Sequence, residues 1–429
     1  MNIIPFRAIR YDLEQVGDYS KVVAPPYDQI DPTTQSLLYS MHPQNIVRIS
    51  FGKDEPGDDT HRNRYQRARG FLEQWLADGI LVEETVAAIY SYHSTYRVGE
   101  QWVTRKGFIA LGEVSEYADR VVFPHERTHS QPKEDRLRLL EATRADLGLV
   151  FMLHPDPNQR VEALMAPVTA APPFAEASDL KGEQHRLWRV TDPQLIAGLQ
   201  SLMADRPVVI ADGHHRYETA LMFRRSHPEA KHKLMAFFAL GGPGLTIFPL
   251  HRLVRPVIDF RLEVLREAIA PTFEVRELGS LRTDDPAEGL ARVLTAQFTG
   301  PDRFLLVAAG ADHPYVVSLR PGAFDRISWP EGTSQAWRRL AVSLLHEGIL
   351  RPHLGIGEEA LRLASHLDYT PSAEEAIRSI QEGRHRAVFF LPPVTPAELQ
   401  AVVQSGDLMP QKSTHFYPKL LTGLVIARV

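Results

Sequence analysis

Asp212, Gly213, His214, His215 and Arg216 stand side by side in VVIADGHHRYETAL, residues 208–221, where β-branched residues give way to helix formers. A strand that ends in a glycine turn and opens a helix leaves backbone N–H groups unpaired at the positive end of the helix dipole. Such a corner binds anions, phosphate above all. Gly213 allows the turn and the close approach of a ligand. Arg216 offers a planar fork for phosphate oxygens, and His214 and His215 can donate hydrogen bonds. Asp212 repels a bare phosphate, so it fits either as a helix cap or with a divalent cation between the two. The competing reading is a capped helix start with two surface histidines.

Four other blocks could carry chemistry. HERTH, residues 125–129, has the His-Glu-x-x-His spacing of a zinc site, which requires one continuous helix. Pro132 stops a helix begun at Pro124 within two turns, so a pocket-lining loop of His125, Glu126 and Thr128 is the better reading. Glu126 is a candidate general base for a substrate hydroxyl, and Asp28 in PPYD is its rival. Their structural alternatives are an ion pair of Glu126 with Arg127 or Lys133, and a turn held by Asp28 itself. SGDLMPQKST, residues 405–414, nearly matches a P-loop, but Gln411 replaces the glycine before Lys412 and a helix precedes the loop. Lys412, Ser413, Thr414 and Lys419 remain phosphate-friendly donors, with a polar loop over a sheet edge as the alternative. His251 and Arg252 could face a pocket, whereas His346 and Glu347 sit in an apolar helix that explains them.

These residues need elements to hold them. The spacing predicts a helix from about Asp192 to Met203, a buried strand over Val208–Ala211, and a helix from about Tyr217 to Arg225. Helices are also expected in RYQRARGFLEQWLADG and KEDRLRLLEATRADLG. Strands are expected in VVAPPYDQI, NIVRISF and AAIYSYHSTYRV. Residues 166–184, rich in proline and small residues, read as a loop or linker. Past IFPLHRLVRPVIDF the character resets, with strands in RFLLVAAG and PYVVSLRPG and helices in TSQAWRRLAVSLLHEGIL and SAEEAIRSIQEG. That reset places a domain boundary near Pro256.

Composition bounds the function. A chain of 429 residues exceeds the roughly 250 to 300 residues of one core, so two domains are expected. Hydrophobic residues at 44% and charged residues at 24% suit a folded globular protein. A net charge of −5 with interspersed signs argues against nucleic acid as a partner. The absence of cysteine excludes disulfides, thiolate metal sites and cysteine nucleophiles. MNIIPFRAIRYD lacks a signal-peptide pattern and no apolar run suits a membrane span, so a cytoplasmic location without a membrane is expected.

Gly213, His215, Arg216 and Tyr217 resemble the phosphate-binding signature of the ParB and sulfiredoxin superfamily. Within it, the Asp-Gly-His-His-Arg turn is similar to that of the free-serine kinases. His214 stands where sulfiredoxins hold their catalytic cysteine, so their chemistry is excluded. Across the whole chain, FRAIRYD, VVAPPYDQI, HERTHSQPKEDRLRLLEATRADLG, IADGHHRYETAL, IFPLHRLV, VSLLHEGILRPHLGI and MPQKSTHFYPKLLTGLVI resemble, in this order, the family called domain of unknown function 1015.

The resemblance implies an α/β (α+β) protein. Residues 1–255 would form a ParB/sulfiredoxin-like nucleotide-binding core with insertions and a β-rich start. Residues 256–429 would form a second α/β domain closing the cleft. It also implies a small-molecule phosphotransferase, a free-serine-type kinase or its reverse with phosphoserine, using ATP or ADP and Mg²⁺ held by Asp212. Asp212, Gly213, His215, Arg216, Lys412, Ser413 and Thr414 would hold the cofactor. Tyr27, His125, Thr128, Lys133, Arg136 and Lys419 would contact the substrate, and Glu126, Asp28, His214 and His215 would supply catalysis. The alternatives are a nucleotide-dependent switch or nucleic-acid-associated ParB-like protein, and a phosphatase without nucleotide. The oligomeric state is left open.

Overall fold

A computed structural model describes residues 1–127, 130–279, 300, 302–311, 313–363 and 365–429. The protein is a mixed α/β chain of two compact units. The first comprises Met1–Pro124, Thr128–Thr246 and Pro418–Val429, and the second comprises His125–Arg127 and Ile247–Tyr417. Both bounds depart from a simple cut near Pro256. The strand His251–Val254 pairs with Leu367–Thr370 and Ala387–Phe390, which commits it to the second sheet. The chain end returns to the first unit, where Ala427–Arg428 pairs with Ala145–Asp146.

The first unit is built on a nine-stranded sheet. Its strands are β1 (Ile3–Ile4), β2 (Ile89–Val98), β3 (Gln101–Glu113), β4 (Val122–Phe123), β5 (Val150–Pro155), β6 (Ala175–Ser178), β7 (Gln184–Val190), β8 (Val208–Asp212) and β9 (His232–Leu240). The order is β4-β8-β5-β9-β3-β2-β7-β6, with β1 against β3. The β4–β8 and β5–β9 pairs are parallel and the rest antiparallel.

Strand β8 buries Val208 and Ile210 fully, as its alternation requires. Its register against β5 slips between Ile210 and Asp212, so that Asp212 lies opposite Phe151. Such a bulge re-aims the side chains beyond it. A helix, α1 (Arg64–Ala77), ends at Asp78 and Gly79 as expected. A second, α2 (Ser130–Thr143), packs on a third, α3 (His214–Ser226), which follows β8. Helix α3 buries Tyr217, Ala220 and Leu221, spaced three and four apart, in the same core as Val208 and Ile210. Removing such side chains from water is worth roughly 2 kcal/mol each, which fixes α3 on the sheet. Tyr217 donates to Ser115 O at 2.7 Å and accepts from Ser115 N at 2.9 Å, so its hydroxyl is satisfied at the core edge.

Four sequence expectations are corrected here. VVAPPYDQI is not a strand: a helical turn ends at Val22, Ala24 makes a single bridge to Thr422, and the two prolines lead into a 3₁₀ turn over Tyr27–Gln29. NIVRISF is not a strand: Val47–Ser50 is one helical turn. Asn45 organises it, accepting from Val47 N at 3.0 Å while donating to Lys21 O and Val23 O, and this buried network overrides β-propensity. Residues 166–184 are not a loop throughout, because a helix spans Arg160–Thr169 and β6 pairs with β7. Helix α3 begins at His214, three positions before the expected Tyr217, because Gly213 turns the chain in one residue.

In the second unit, β10 (His251–Val254), β11 (Phe273–Glu277), β12 (Arg303–Ala308), β13 (Tyr315–Leu319), β14 (Leu367–Thr370) and β15 (Ala387–Phe390) form an antiparallel sheet in the order β11-β13-β12-β15-β10-β14. Leu253, Leu305, Val316, Val388 and Phe390 make its core, covered by Ala376 and Ile377 of the helix Ala373–Gln381.

Candidate functional site

Gly213 is the N-cap of α3, with φ +92°. That backbone state strains any residue with a Cβ, and a Cβ here would stand 3.0 Å from Arg216 Cζ and Nε. Gly213 has no side chain to cap the helix, and α3 receives no side-chain cap among the described residues. His214, His215 and Arg216 therefore lie in the first turn of the helix. His214 is buried and His215 half-buried.

Asp212 is a hub of charge. Its Oδ1 accepts from Lys419 Nζ at 2.5 Å, and its Oδ2 accepts from Arg216 at 2.6 Å. Burial alone would raise its pKa, yet Lys419 and then Arg216 hold it well below the usual carboxylate range. The other terminal nitrogen of Arg216 donates to Leu149 O. Sequence reading treats Arg216 as an open fork for phosphate, but both terminal nitrogens are bonded within the protein. The third nitrogen, Nε, is buried and has no partner among the described residues.

Arg216 lines a cavity of about 60 Å³ together with Tyr27, Ser50, Arg136, Asp146, Gly148, Thr219, Lys233 and Thr422. That space holds roughly four waters, enough for a phosphate group and too small for a nucleoside. Three cations line it, each oriented by a carboxylate: Arg216 by Asp212, Arg136 by Asp135, and Lys233 by Asp146. Arg136 also donates to Ser50 O at 2.6 Å and lies 4.2 Å over the Tyr27 ring. Burial and then the Asp28 charge push Tyr27 up to about 12, against the pull of Arg216 and Arg136. Ser50 Oγ, like Arg216 Nε, is buried without a protein partner. A buried polar atom with no partner costs about 1–3 kcal/mol, so two around one cavity mark a place for a polar ligand.

Of the residues predicted from sequence, the structure thus brings Tyr27, Arg136 and Arg216 around one cavity, with Asp212, Gly213 and Lys419 adjoining Arg216. Asp28 is exposed beside Tyr27 in the turn Tyr27–Gln29. Lys133 is bound to Glu218 of α3 at 2.8 Å. His125, Glu126, Lys412, Ser413 and Thr414 fall in the second unit. There His125 Nε2 lies 2.9 Å from Thr414 Oγ1 and 3.6 Å from Glu126 Oε1, and Met409 N donates to His125 O. Those contacts join two blocks that the sequence separates by almost 300 residues. Ser413 Oγ donates to Pro410 O. Residues 125–127 are not helical, whereas Thr128 and His129 lie outside the described residues.

At Asp212 each carboxylate oxygen already accepts from a cation, Lys419 on one and Arg216 on the other, so Mg²⁺ there would have to share the carboxylate with both. Sequence reading misses Lys233, Asp146 and Ser50. Lys233 sits in a run of six buried residues, Lys233–Phe238, whose period gives no sign that one end is charged and paired. Asp146 between Ala145 and Leu147, and Lys233 at the head of the apolar run Leu234–Phe238, are the signals the sequence offers.

The site thus belongs to an α/β protein with a glycine-capped, cation-rich corner. The chain belongs to the family described as protein of unknown function, DUF1015, matched over residues 3–343. No curated protein matches it. Among solved structures it is similar to a conserved hypothetical protein from Pyrococcus furiosus, at 13% identity and TM-score 0.35, covering 72% of this chain and 90% of that one. A free serine kinase in complex with AMP is similar at 14% identity and TM-score 0.36, covering 72% and 86%. A C-terminally truncated SbnI from Staphylococcus aureus is similar at 11% identity and TM-score 0.33, covering 73% and 85%.

Proposed function

We propose that the cavity lined by Arg216, Arg136 and Lys233 holds the phosphate of a nucleotide or phosphorylated metabolite, and that the protein is a small-molecule phosphotransferase. The observation that carries this reading is the pair of partnerless buried atoms, Arg216 Nε and Ser50 Oγ, around a cavity lined by three cations. The likeness of the Asp-Gly-His-His-Arg turn to that of free-serine kinases supports a hydroxylated amino acid as acceptor.

In this reading Arg216 and Ser50 hold phosphate oxygens, and the lining cations Arg136 and Lys233 offset the charge that develops on them. The acceptor hydroxyl oxygen attacks phosphorus, and the bond from phosphorus to the leaving nucleotide oxygen breaks. The hydroxyl proton passes to a carboxylate. Asp28 is the candidate in the same unit as the corner, one residue from the cavity-lining Tyr27. Asp212 keeps Arg216 and Lys419 in place, and no step is routed through Mg²⁺.

The test is consumption of ATP or ADP by the full chain with and without added serine. Serine-dependent turnover with phosphoserine as product supports the proposal. Turnover that ignores every hydroxy amino acid offered overturns it.

A further inference from the structure

The hairpin β6–β7, at the far edge of the first sheet from β8, carries a second constellation that the corner does not use. Its connecting turn and first strand residues read DLKGEQH, residues 179–185, an Asp-x3-Glu-x-His spacing. The turn closes tightly: Asp179 N donates to Glu183 O at 3.0 Å and Gly182 N to Asp179 O at 3.1 Å. Asp179 Oδ1 accepts from Lys181 N at 2.8 Å and Glu183 N at 2.9 Å, which pins the carboxylate and points Oδ2 toward His185 Nε2, 3.9 Å away. One ligand atom from each of Asp179, Glu183 and His185 lies within 4.8 Å of the others.

His185 supplies an independent observation. It is completely buried, and its Nε2 has no hydrogen-bond partner. Nδ1 meets the Tyr92 hydroxyl at 2.7 Å, and the two rings stack at an interplanar angle of 21°. With the proton on Nδ1, that contact fixes the ring and leaves the Nε2 lone pair aimed at two carboxylates. A metal-bound histidine is held by its second nitrogen in the same way. Without a cation the cluster carries a cost, since it places two carboxylates and an orphaned nitrogen together out of water.

We propose that Asp179, Glu183 and His185 bind one divalent transition-metal ion, with zinc the best match. The imidazole disfavours Mg²⁺ and Ca²⁺, which take oxygen ligands, and two carboxylates with one imidazole suit Zn²⁺ or Mn²⁺. Around a tetrahedral ion with bonds of about 2.1 Å, ligand atoms stand about 3.4 Å apart, so atoms that now lie within 4.8 Å of one another close in by at most about 1.4 Å. Arg105 and Lys181 are the cations whose charge the cluster feels, and a dication must outweigh them. The ion would staple the outermost hairpin of the sheet, whose β6 strand forms one edge.

The experiment is Zn²⁺ titration of the untagged, chelator-stripped full chain by calorimetry, beside Glu183→Gln and Asp179→Asn. Both substitutions keep volume and hydrogen-bonding capacity, and urea midpoints in chelator verify the fold. We expect one ion per chain, at least tenfold weaker in each variant, and a rise in unfolding temperature with Zn²⁺ that the variants lack. Co²⁺ should develop visible absorption bands in the natural chain and not in Glu183→Gln. Absence of saturable binding, or equal binding by all three proteins, overturns the proposal.

Discussion

Lys419 Nζ rests 2.5 Å from Asp212 Oδ1, so a residue near the end of the chain locks the corner that opens helix α3. With Arg216 on the opposite oxygen, Asp212 becomes the single carboxylate between two cations. Every consequence for the corner passes through that arrangement.

Asp212→Asn leaves Arg216 and Lys419 without their counter-ion, which we expect to cost about 3 kcal/mol at pH 7 in urea unfolding. Because Lys419 and Arg216, working against burial, depress the folded pKa of Asp212, its contribution is full above the unfolded value near about 4. It fades as the pH falls further toward the folded value. Stability of the natural chain should therefore drop more steeply below about pH 4 than that of the variant. Parallel pH dependences in the two proteins would contradict this.

Gly213→Ala forces a Cβ into a left-handed backbone and to 3.0 Å from the Arg216 guanidinium. A loss of about 1–2 kcal/mol is expected in thermal or urea unfolding, with weaker phosphate binding because Arg216 must shift. Calorimetry with inorganic phosphate reads the second effect.

Ser50→Ala removes a buried hydroxyl that has no protein partner. The fold should gain stability by about 1 kcal/mol or stay unchanged, while affinity for phosphate falls. Stability and binding moving in opposite directions would identify Ser50 as a ligand contact rather than a packing residue.

Asp28→Asn tests proton transfer. Turnover with serine should fall by about 10²–10⁴-fold with phosphate affinity unchanged, since Asp28 is exposed in the Tyr27–Gln29 turn and takes no part in holding the cavity. Unaltered turnover would contradict the role given to Asp28.

Much of this was legible in the sequence because local physics decided it. The β8–Gly213–α3 corner follows from β-branched residues, one glycine and a helical run of Tyr217, Ala220 and Leu221. The grouping of Tyr27, Arg136 and Arg216 is anticipated only as separate blocks in one order, since nothing local says that positions this far apart meet. What the sequence hid was pairing. Arg216 looks like an open fork until Leu149 O and Asp212 occupy its ends, and Asp212 looks like a cation ligand until Lys419 arrives from the chain terminus. Val47–Ser50 reads as a strand because its helical turn depends on Asn45 bridging to Lys21 and Val23. The proline-rich stretch likewise conceals β6, whose partner strand β7 begins only where the expected loop ends.

The most direct test of the account is calorimetric binding of inorganic phosphate and ADP to the natural chain and to Arg216→Lys. Lysine keeps a charge for Asp212 but has no Nε–H in the guanidinium plane to offer the cavity. We predict saturable binding to the natural chain and at least tenfold weaker binding to the variant, with the urea midpoint as control for the fold. Equal affinity in the two proteins, or none in the natural chain, would contradict the claim that the corner beside Gly213 binds phosphate.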